Sequence, residues 1–521
     1  MHRGEVAFED EASEGRSKSL GASLSYGFGT AFADDERKIL ALLHLFQGFV
    51  DVDVLRAMGN PEAESCLAAV RGLTRERGIA LLDRAAEIGL LHANGGGYYG
   101  IHPALPWYFH ALFSRDFPQE TGGADRARRA FVEVMGELGN FYHNSYHRGR
   151  REVLSAVAAE EDNLLAAWRL ARAHGWWHRV TSVMQGLRTL YGATGRGAAW
   201  RRLVDHVVPD FVDPASDGPL AGHEDRWSLV TEYRVFLAEE ERNWVEAERL
   251  QQVRVDWNRQ RAQPALAAAP DLRDTTQRNT IRTLAASLHE LAEIQREQGS
   301  PTCAPTYREA LDLANAIGDA AGQATCAFNL GHAYKDITEL RNLDEAERWY
   351  RMSLDLRPPH DGLGRGRCVG QLGMVAYERF KEARTAKRPV EELARHIAEA
   401  ARLYEQALDM TPASAVAERG IIHNQLGVIY RGAGDINRAL HHYRQSIRYH
   451  EQTGDIFDAG RTRENVAIVL LQAGRLTDAR TYAEAALANL RTFGDRAAYE
   501  IQKIERLIGV IDQAAEKAGG A

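Results

Sequence analysis

The chain lacks the features that mark several large classes of protein. Its 521 residues include only 15 prolines and four cysteines, and no two cysteines form a CxxC pair. Scattered cysteines of this kind fit reduced thiols in a cytosol better than a disulfide framework, so we expect a cytoplasmic protein. No stretch approaches 18 uninterrupted apolar residues, and we therefore expect no membrane span.

The chain also lacks a strong excess of either charge. Its 64 basic and 72 acidic side chains are well interspersed and leave a net charge of −8. This balance creates no field that would attract a polyanion, so we do not expect nucleic acid as a partner. Residues 1–22 are polar, carry no apolar core of a secretory signal, and are expected to form a disordered segment.

What the sequence does contain is internal repetition. The clearest unit consists of Leu426-Gly427, Tyr430, Gly434, Ala439, Tyr443 and Ser446. Its small residues allow two helices of a hairpin to approach each other, and its aromatic residues fill the groove against the next hairpin. Matching small residues at positions 292, 331, 373, 427 and 467 are 39, 42, 54 and 40 residues apart. The pattern is that of the tetratricopeptide repeat, with a period near 40.

These repeats predict a mostly α fold, a right-handed superhelix of tetratricopeptide-type hairpins over residues 277–512. Degenerate hairpins are expected over residues 128–261, and residues 513–521 are expected to form a disordered tail. Linkers are expected at residues 209–224 and 262–276, where Pro, Asp, Gly and Ala cluster. The 54-residue step contains an insertion around residues 381–389 that is rich in Lys and Arg. A solvated helix extension is favoured there over a binding loop.

Residues 23–115 do not show the repeat pattern and are predicted to form a mixture of helices and strands. Helices are expected at 35–46, 52–58 and 78–88, followed by two short strands around a glycine turn and by a last helix after Pro103. Three helices followed by a hairpin are typical of a winged-helix domain.

Gly89-Leu90-Leu91 and the segment Tyr99–Leu105 resemble the winged-helix domain of the STAND (NB-ARC, apoptotic-ATPase-like) signalling NTPases. Bacterial members of that family continue with helical hairpins similar to the one that begins near residue 160, and then with tetratricopeptide repeats. The resemblance implies a regulatory arm of a signalling switch. It also implies that His102 senses a bound nucleotide, although Pro103 stands where the family has an aspartate. The alternative is that His102 simply caps a helix that begins at Pro103.

A STAND protein also needs a P-loop of the form GxxxxGK[ST], and the sequence contains none. Residues 1–33 are too few for a nucleotide-binding domain. Two explanations remain open at this point. Either an NTPase domain encoded upstream is a partner of this chain, or the chain is a relative that has lost that domain.

The first helix of each hairpin lines the concave side of a tetratricopeptide stack. Candidate partner-binding residues at these positions are His289, Arg296, His332, Lys335, Arg367, Tyr377, Asn424, Arg431 and Arg461. The cationic members favour a protein or peptide partner with several acidic groups. The alternative is that these arginines form solvated or intra-stack ion pairs.

The sequence predicts no enzymatic activity, no cofactor and no metal site. His143 and His147 are one helical turn apart, a spacing that can bind zinc, but no third ligand is evident. The leading hypothesis is therefore a non-enzymatic protein-interaction module, the sensor arm of a STAND-type switch.

Two alternatives to this hypothesis are a free-standing scaffold and a DNA-binding regulator with a tetratricopeptide sensor. Winged helices often read DNA, and the candidate recognition segment carries Arg71, Arg75, Arg77 and Arg84. Acidic residues lie among them, so a mixed face rather than a basic stripe is expected.

Overall fold

The computed structural model describes residue 28 and residues 31–148 and 150–519, which are mostly α-helical. The chain divides into two compact units, residues 1–237 and 238–521. The predicted segment 1–22 lies outside the described residues, and the finer predicted domain limits stay predictions. None of the described helices combines the length and apolar character needed to cross a bilayer.

The first unit begins with a small region of helices and strands. These elements are α1 (Asp34–Ala41), β1 (Phe49–Asp51), α2 (Val52–Ala57), α3 (Arg75–Glu87), β2 (Leu91–Gly95), β3 (Tyr98–Ile101) and α4 (Pro106–Asp116). The strands form an antiparallel sheet in the order β1-β3-β2. Phe49 lies opposite Gly100, and Leu91 lies opposite Ile101.

The predicted helices and the predicted hairpin of this region are confirmed, with two corrections. The first α-helix ends at Ala41 and continues as a 3₁₀ turn over Leu42–Leu45. The last helix begins at Pro106, because Pro103 belongs to a turn that precedes it. Strand β1 was not expected, since three residues are too few to show an alternating pattern.

Helical pairs complete the first unit. They are formed by α5 (Gly123–His147), α6 (Val153–Ala159), α7 (Glu161–Ala173), α8 (Trp177–Ala193) and α9 (Gly197–Phe211), and the unit boundary falls in α10 (Glu224–Glu240). A glycine allows α5 and α8 to pack closely. A Cβ added at Gly139 would lie 2.7 Å from the carbonyl oxygen of Ser182, so only glycine fits without a shift.

The second unit is a stack of antiparallel helical hairpins. Helix α11 (Trp244–Ala267) packs against the first of them. The hairpins are α12 (Thr275–Glu297) with α13 (Cys303–Ala316), α14 (Ala320–Asp336) with α15 (Leu343–Leu356), α16 (Gly362–Thr385) with α17 (Val390–Met410), α18 (Val416–Gly432) with α19 (Ile436–Gln452), and α20 (Ile456–Gln472) with α21 (Leu476–Arg491). Helix α22 (Ala498–Gly519) covers the last hairpin.

Glycine and tyrosine set the distance between the two helices of a hairpin. In three hairpins a glycine of the first helix lies under a buried tyrosine ring of the second, the pairs being Gly331 with Tyr350, Gly373 with Tyr404, and Gly427 with Tyr443. A Cβ at any of these glycines would lie 2.5–2.7 Å from the ring. The small residues that repeat in the sequence are therefore the points of closest approach.

Three sequence expectations for the second unit have a structural outcome. The insertion around residues 381–389 lengthens α16 to 24 residues and α17 to 21, against 17 for α18, so the favoured helix extension is confirmed. The expectation of a disordered tail is wrong for residues 513–519, which are helical because Ala, Glu and Lys are strong helix formers. The linker predicted from residue 262 is shorter than expected, since α11 runs through Pro264 to Ala267.

Candidate partner-binding surface

The first helices α12, α14, α16, α18 and α20 carry the candidate residues of the second unit. The side chains at matching positions of these helices are called the first-helix surface here, and they are His289, Arg296, His332, Lys335, Arg367, Met374, Tyr377, Ile421, Asn424, Val428, Arg431 and Arg461.

One side-chain contact joins each first helix to the next, which makes four contacts along the five helices. His289 Nε2 lies 2.8 Å from Asn329 Nδ2, Lys335 Nζ donates to Gln371 Oε1 at 3.1 Å, Arg367 Nε donates to Glu418 Oε2 at 3.0 Å, and Asn465 Nδ2 donates to Asn424 Oδ1 at 3.3 Å. We call these contacts the first-helix links. Four of the candidate residues therefore hold the stack together, whatever else they bind.

The links reveal a signal that sequence reasoning missed. In three of the four links, the candidate residue contacts an amide side chain of the next first helix. These amides are Asn329, Gln371 and Asn465, and each lies two residues before the small residue of the repeat pattern, at positions 331, 373 and 467. Gln425 has the same position in the remaining hairpin. An amide can donate and accept, so it suits a place where the neighbouring residue varies in chemistry.

The N-terminal end of the first-helix surface is polar but largely buried. Burial lowers the pKa of His289 and of His332, so both imidazoles are neutral near pH 7. Lys335 is buried as well and lies 3.3 Å from Asp336 Oδ1. Arg296 pairs with Glu297 at 2.9 Å. Most of the charge predicted here is thus satisfied within the stack.

The C-terminal end of the surface is more open. Arg367 and Arg461 side chains are 52% and 62% exposed, although each pairs with a carboxylate, Glu418 and Asp458 respectively. Half-buried Arg431 has no carboxylate within ion-pair distance in the described part of the chain. This end therefore offers cationic groups to a partner.

Apolar side chains lie between these arginines. Met374, Tyr377 and Val428 are half-buried and pack against the core of the C-terminal hairpins, and Tyr377 stacks on Phe380 with ring centroids 5.8 Å apart. Ile421 is 45% exposed. The C-terminal end thus combines positive charge with apolar area, which suits a segment that carries both acidic and apolar residues.

The first unit contains the candidate nucleotide-sensing residue. His102 is exposed, and its Nδ1 accepts a hydrogen bond from the backbone N–H of Ala104 at 3.2 Å. His102 thereby stabilises the turn before α4. Its nucleotide-sensing role stays a prediction.

The arginines of the candidate DNA-recognition segment are mostly neutralised. Arg75 Nε lies 3.1 Å from Asp53 Oδ2, Arg77 Nη2 lies 2.7 Å from Asp35 Oδ2, and Arg84 pairs with Glu36. The mixed face expected from the sequence is confirmed. These pairs reduce the positive charge that the helix offers to a phosphate backbone.

The histidine pair on α5 is a packing contact. The rings of His143 and His147 lie 4.3 Å apart, and His143 Nδ1 lies 3.1 Å from Thr189 Oγ1. Burial lowers the pKa of His143 to about 4, with a smaller effect from the charge of His147. Within the described ranges no third metal ligand joins them.

A further buried cluster in the first unit escaped sequence reasoning. Asn163 is fully buried; its Oδ1 accepts from the backbone N–H of Gln47 at 2.6 Å, and its Nδ2 donates to the carbonyl of Phe49 at 2.9 Å. Nδ2 also donates to Glu160 Oε2 at 2.6 Å. Burial raises the pKa of Glu160 to about 7, while the bond from Asn163 opposes this shift. The cluster ties the strand β1 segment to the helical pairs.

Comparisons with known proteins agree with the repeat assignment. The family model described as tetratricopeptide repeat matches residues 418–496. Among solved structures, the chain is similar to the Signal Transduction ATPase with Numerous Domains (STAND) protein with a tetratricopeptide repeat sensor from Pyrococcus horikoshii. That match has 12% identity and a TM-score of 0.41, and it covers 91% of this chain and 65% of the STAND protein.

Two further solved structures match the chain with low TM-scores. They are BtubC from P. vanneervenii (21% identity, TM-score 0.35, 47% of this chain and 92% of that one) and a Rap protein complexed with competence and sporulation factor (11% identity, TM-score 0.38, 73% and 99%). No curated protein matches the chain. The chain spans about two thirds of the length of the STAND protein, 65%. It is a mostly helical protein with a tetratricopeptide-type repeat fold.

Proposed function

We propose that the chain is a non-enzymatic protein-interaction module that binds a protein or peptide on the first-helix surface. The observation that carries this proposal is the C-terminal end of that surface, where the first helices α16, α18 and α20 carry Arg367, Arg431 and Arg461 together with half-buried apolar side chains. Such a surface suits an extended or helical segment with acidic residues beside apolar ones.

The first-helix links support this proposal. A surface whose helices are joined to each other changes little when a partner arrives, so binding does not require much ordering of the surface itself. Arg431 contributes most to our expectation, because a cation without an internal carboxylate loses no ion pair when it meets an acidic partner.

We further propose that the elements α1 to α4 belong to the winged-helix domain predicted for residues 23–115 and that the chain serves as the sensor arm of a STAND-type switch. The order of helices and strands and the exposure of His102 support this proposal. In such a switch an NTPase domain encoded upstream is the second partner, and its nucleotide state changes the affinity for the sensed segment.

The test begins with a binding partner captured on the full chain and then measured by calorimetry. Arg431→Glu is expected to weaken binding by at least tenfold, because it places a like charge opposite the acidic segment. The matched control is Arg448→Glu, an exposed arginine on the second helix α19, which should leave the affinity unchanged. Binding of wild type should also weaken as salt is raised.

Equal loss in both variants would indicate a net-charge effect, and no loss in either would place the binding site elsewhere. The switch role is tested separately by reconstituting the full chain with the upstream NTPase and measuring the same affinity in ADP and ATP. An affinity that is identical in both nucleotides would leave the interaction module standing and refute the sensor role.

A further inference from the structure

The turn between α19 and α20 brings together three side chains of the kinds that bind metals. His450 lies in the last turn of α19, Asp455 is the N-cap of α20, and Asp458 lies in the first turn of α20. One ligand atom from each lies within 4.8 Å of the other two. His450 Nδ1 lies 3.5 Å from Asp455 Oδ2.

The burial of His450 and its missing hydrogen bond indicate a ligand at this turn. The residue is 3% exposed, and its Nδ1 atom has no hydrogen-bond partner. Buried side-chain nitrogen atoms are almost always hydrogen-bonded, and the 3.5 Å separation from Asp455 exceeds the roughly 2.7–3.2 Å of a hydrogen bond. The unpartnered nitrogen lies 3.5 Å from the Asp455 carboxylate, and Asp458 places a ligand atom in the same cluster, so one cation could satisfy all three groups.

We propose that His450 Nδ1 and the carboxylates of Asp455 and Asp458 bind a divalent first-row transition metal, with Zn²⁺ as the best match. One imidazole and two carboxylates suit Zn²⁺, whereas Mg²⁺ and Ca²⁺ prefer oxygen ligands alone. The two carboxylates balance the charge of the ion. Asp455 and Asp458 side chains are 41% and 38% exposed, so water can complete the coordination. The sequence predicted no metal site here.

Helix capping explains only part of this arrangement. Asp455 Oδ1 accepts from the backbone N–H of Asp458 at 3.0 Å, as N-cap residues do. That bond uses one oxygen of Asp455 and leaves Oδ2, which faces His450. It accounts neither for the unpartnered nitrogen nor for the Asp458 carboxylate. The latter lies 3.4 Å from Arg461 Nη1, a weak contact that a metal ion would replace.

A metal at this turn would have two effects. It would join the end of α19 to the start of α20 and so stabilise the junction between two hairpins. It would also take the Asp458 carboxylate from Arg461 and leave this arginine of the first-helix surface available to a partner.

The test uses the full chain after treatment with a chelator and titrates it with Zn²⁺ alone, then with Mn²⁺, Mg²⁺ and Ca²⁺, by calorimetry. We expect saturable binding of one Zn²⁺ and a rise in melting temperature, with much weaker binding of Mg²⁺ and Ca²⁺. Co²⁺ in place of Zn²⁺ should give visible absorption bands that report nitrogen and oxygen ligands.

Three variants assign the site. Asp458→Asn removes the charge of a proposed ligand that is not the N-cap of α20. Asp455→Asn removes the charge of the N-cap residue but keeps an oxygen that can cap the helix. His450→Gln removes the imidazole. Each should weaken Zn²⁺ binding by more than about tenfold. Two variants serve as controls. Asp435→Asn changes the equivalent N-cap of α19, and His147→Ala breaks the histidine pair of α5; both should bind Zn²⁺ like wild type.

Absence of saturable Zn²⁺ binding to the wild-type chain would overturn the proposal. So would Zn²⁺ binding that survives in Asp458→Asn and Asp455→Asn, or binding that is lost in His147→Ala. Far-UV circular dichroism of each variant separates loss of the ligand from loss of the fold.

Discussion

The packing of Gly427 under Tyr443 makes the effect of one added methyl group predictable. A Cβ at Gly427 would lie 2.5 Å from Cδ1 and Cε1 of the Tyr443 ring, closer than carbon atoms pack. Tyr443 is fully buried and cannot move away. Overpacking of this kind costs about 1–3 kcal/mol. The better helix propensity of alanine offsets about 1 kcal/mol of this cost, so Gly427→Ala should lower the free energy of unfolding by up to about 2 kcal/mol.

The matched control is Gly509→Ala in α22. A Cβ there meets nothing within 4 Å, so only helix propensity acts. This substitution should raise the free energy of unfolding by about 0.5–1 kcal/mol. The two variants carry the same chemical change in the same unit and are expected to have opposite signs.

Hydrogen exchange of the full chain measures both effects where they occur. Amides of α18 and α19 should exchange faster in Gly427→Ala, and amides of α22 should exchange more slowly in Gly509→Ala. In the next hairpin, the positions equivalent to Gly427 and Tyr443 hold Ala467 and Ala483, both buried. Alanine therefore occurs at the glycine position where no tyrosine ring occupies the second helix. If Gly427→Ala behaved like Gly509→Ala, close glycine–tyrosine contact would not be what sets the helix spacing.

Two further predictions concern the buried cluster of the first unit. Asn163→Ala leaves the Gln47 N–H and the Phe49 carbonyl unpaired, so we expect a loss of about 2–4 kcal/mol in urea unfolding, against less than about 0.5 kcal/mol for half-buried Asn140→Ala. Burial raises the pKa of Glu160 from 4.5 to about 7, so its protonated form is favoured in the folded state. Its contribution is complete below pH 4.5 and is lost as the pH rises through 7. Between pH 5 and 8, wild type should therefore lose up to about 3 kcal/mol relative to Glu160→Gln; parallel pH profiles would contradict this.

The repeat pattern was readable because it depends on residues close together in the sequence. Gly427, Tyr430 and Tyr443 lie within one hairpin, and their spacing follows from helix geometry. The same reasoning placed the candidate residues on the first helices. It could not show that Lys335 and Arg367 are engaged within the stack, because Gln371 and Glu418 lie 36 and 51 residues away.

The turn at His450 and the cluster at Asn163 were missed for a related reason. Asp455 has the identity and position of an ordinary N-cap, so nothing in the sequence marks it as a ligand. The importance of Asn163 comes from Gln47 and Phe49, which lie 116 and 114 residues before it. Burial of an unpartnered nitrogen decides the first case, and long-range partners decide the second.

In four of the five hairpins an amide side chain lies two residues before the repeated small residue, which has a consequence for how such a chain can evolve. Lys335 donates to Gln371, and Gln425 holds the equivalent position one hairpin later. Loss of the hairpin α16–α17 in a single deletion would therefore bring Lys335 opposite another glutamine. Duplication of a hairpin would likewise add a ready acceptor. The stack can change its length in whole hairpins while each new junction finds its hydrogen bond.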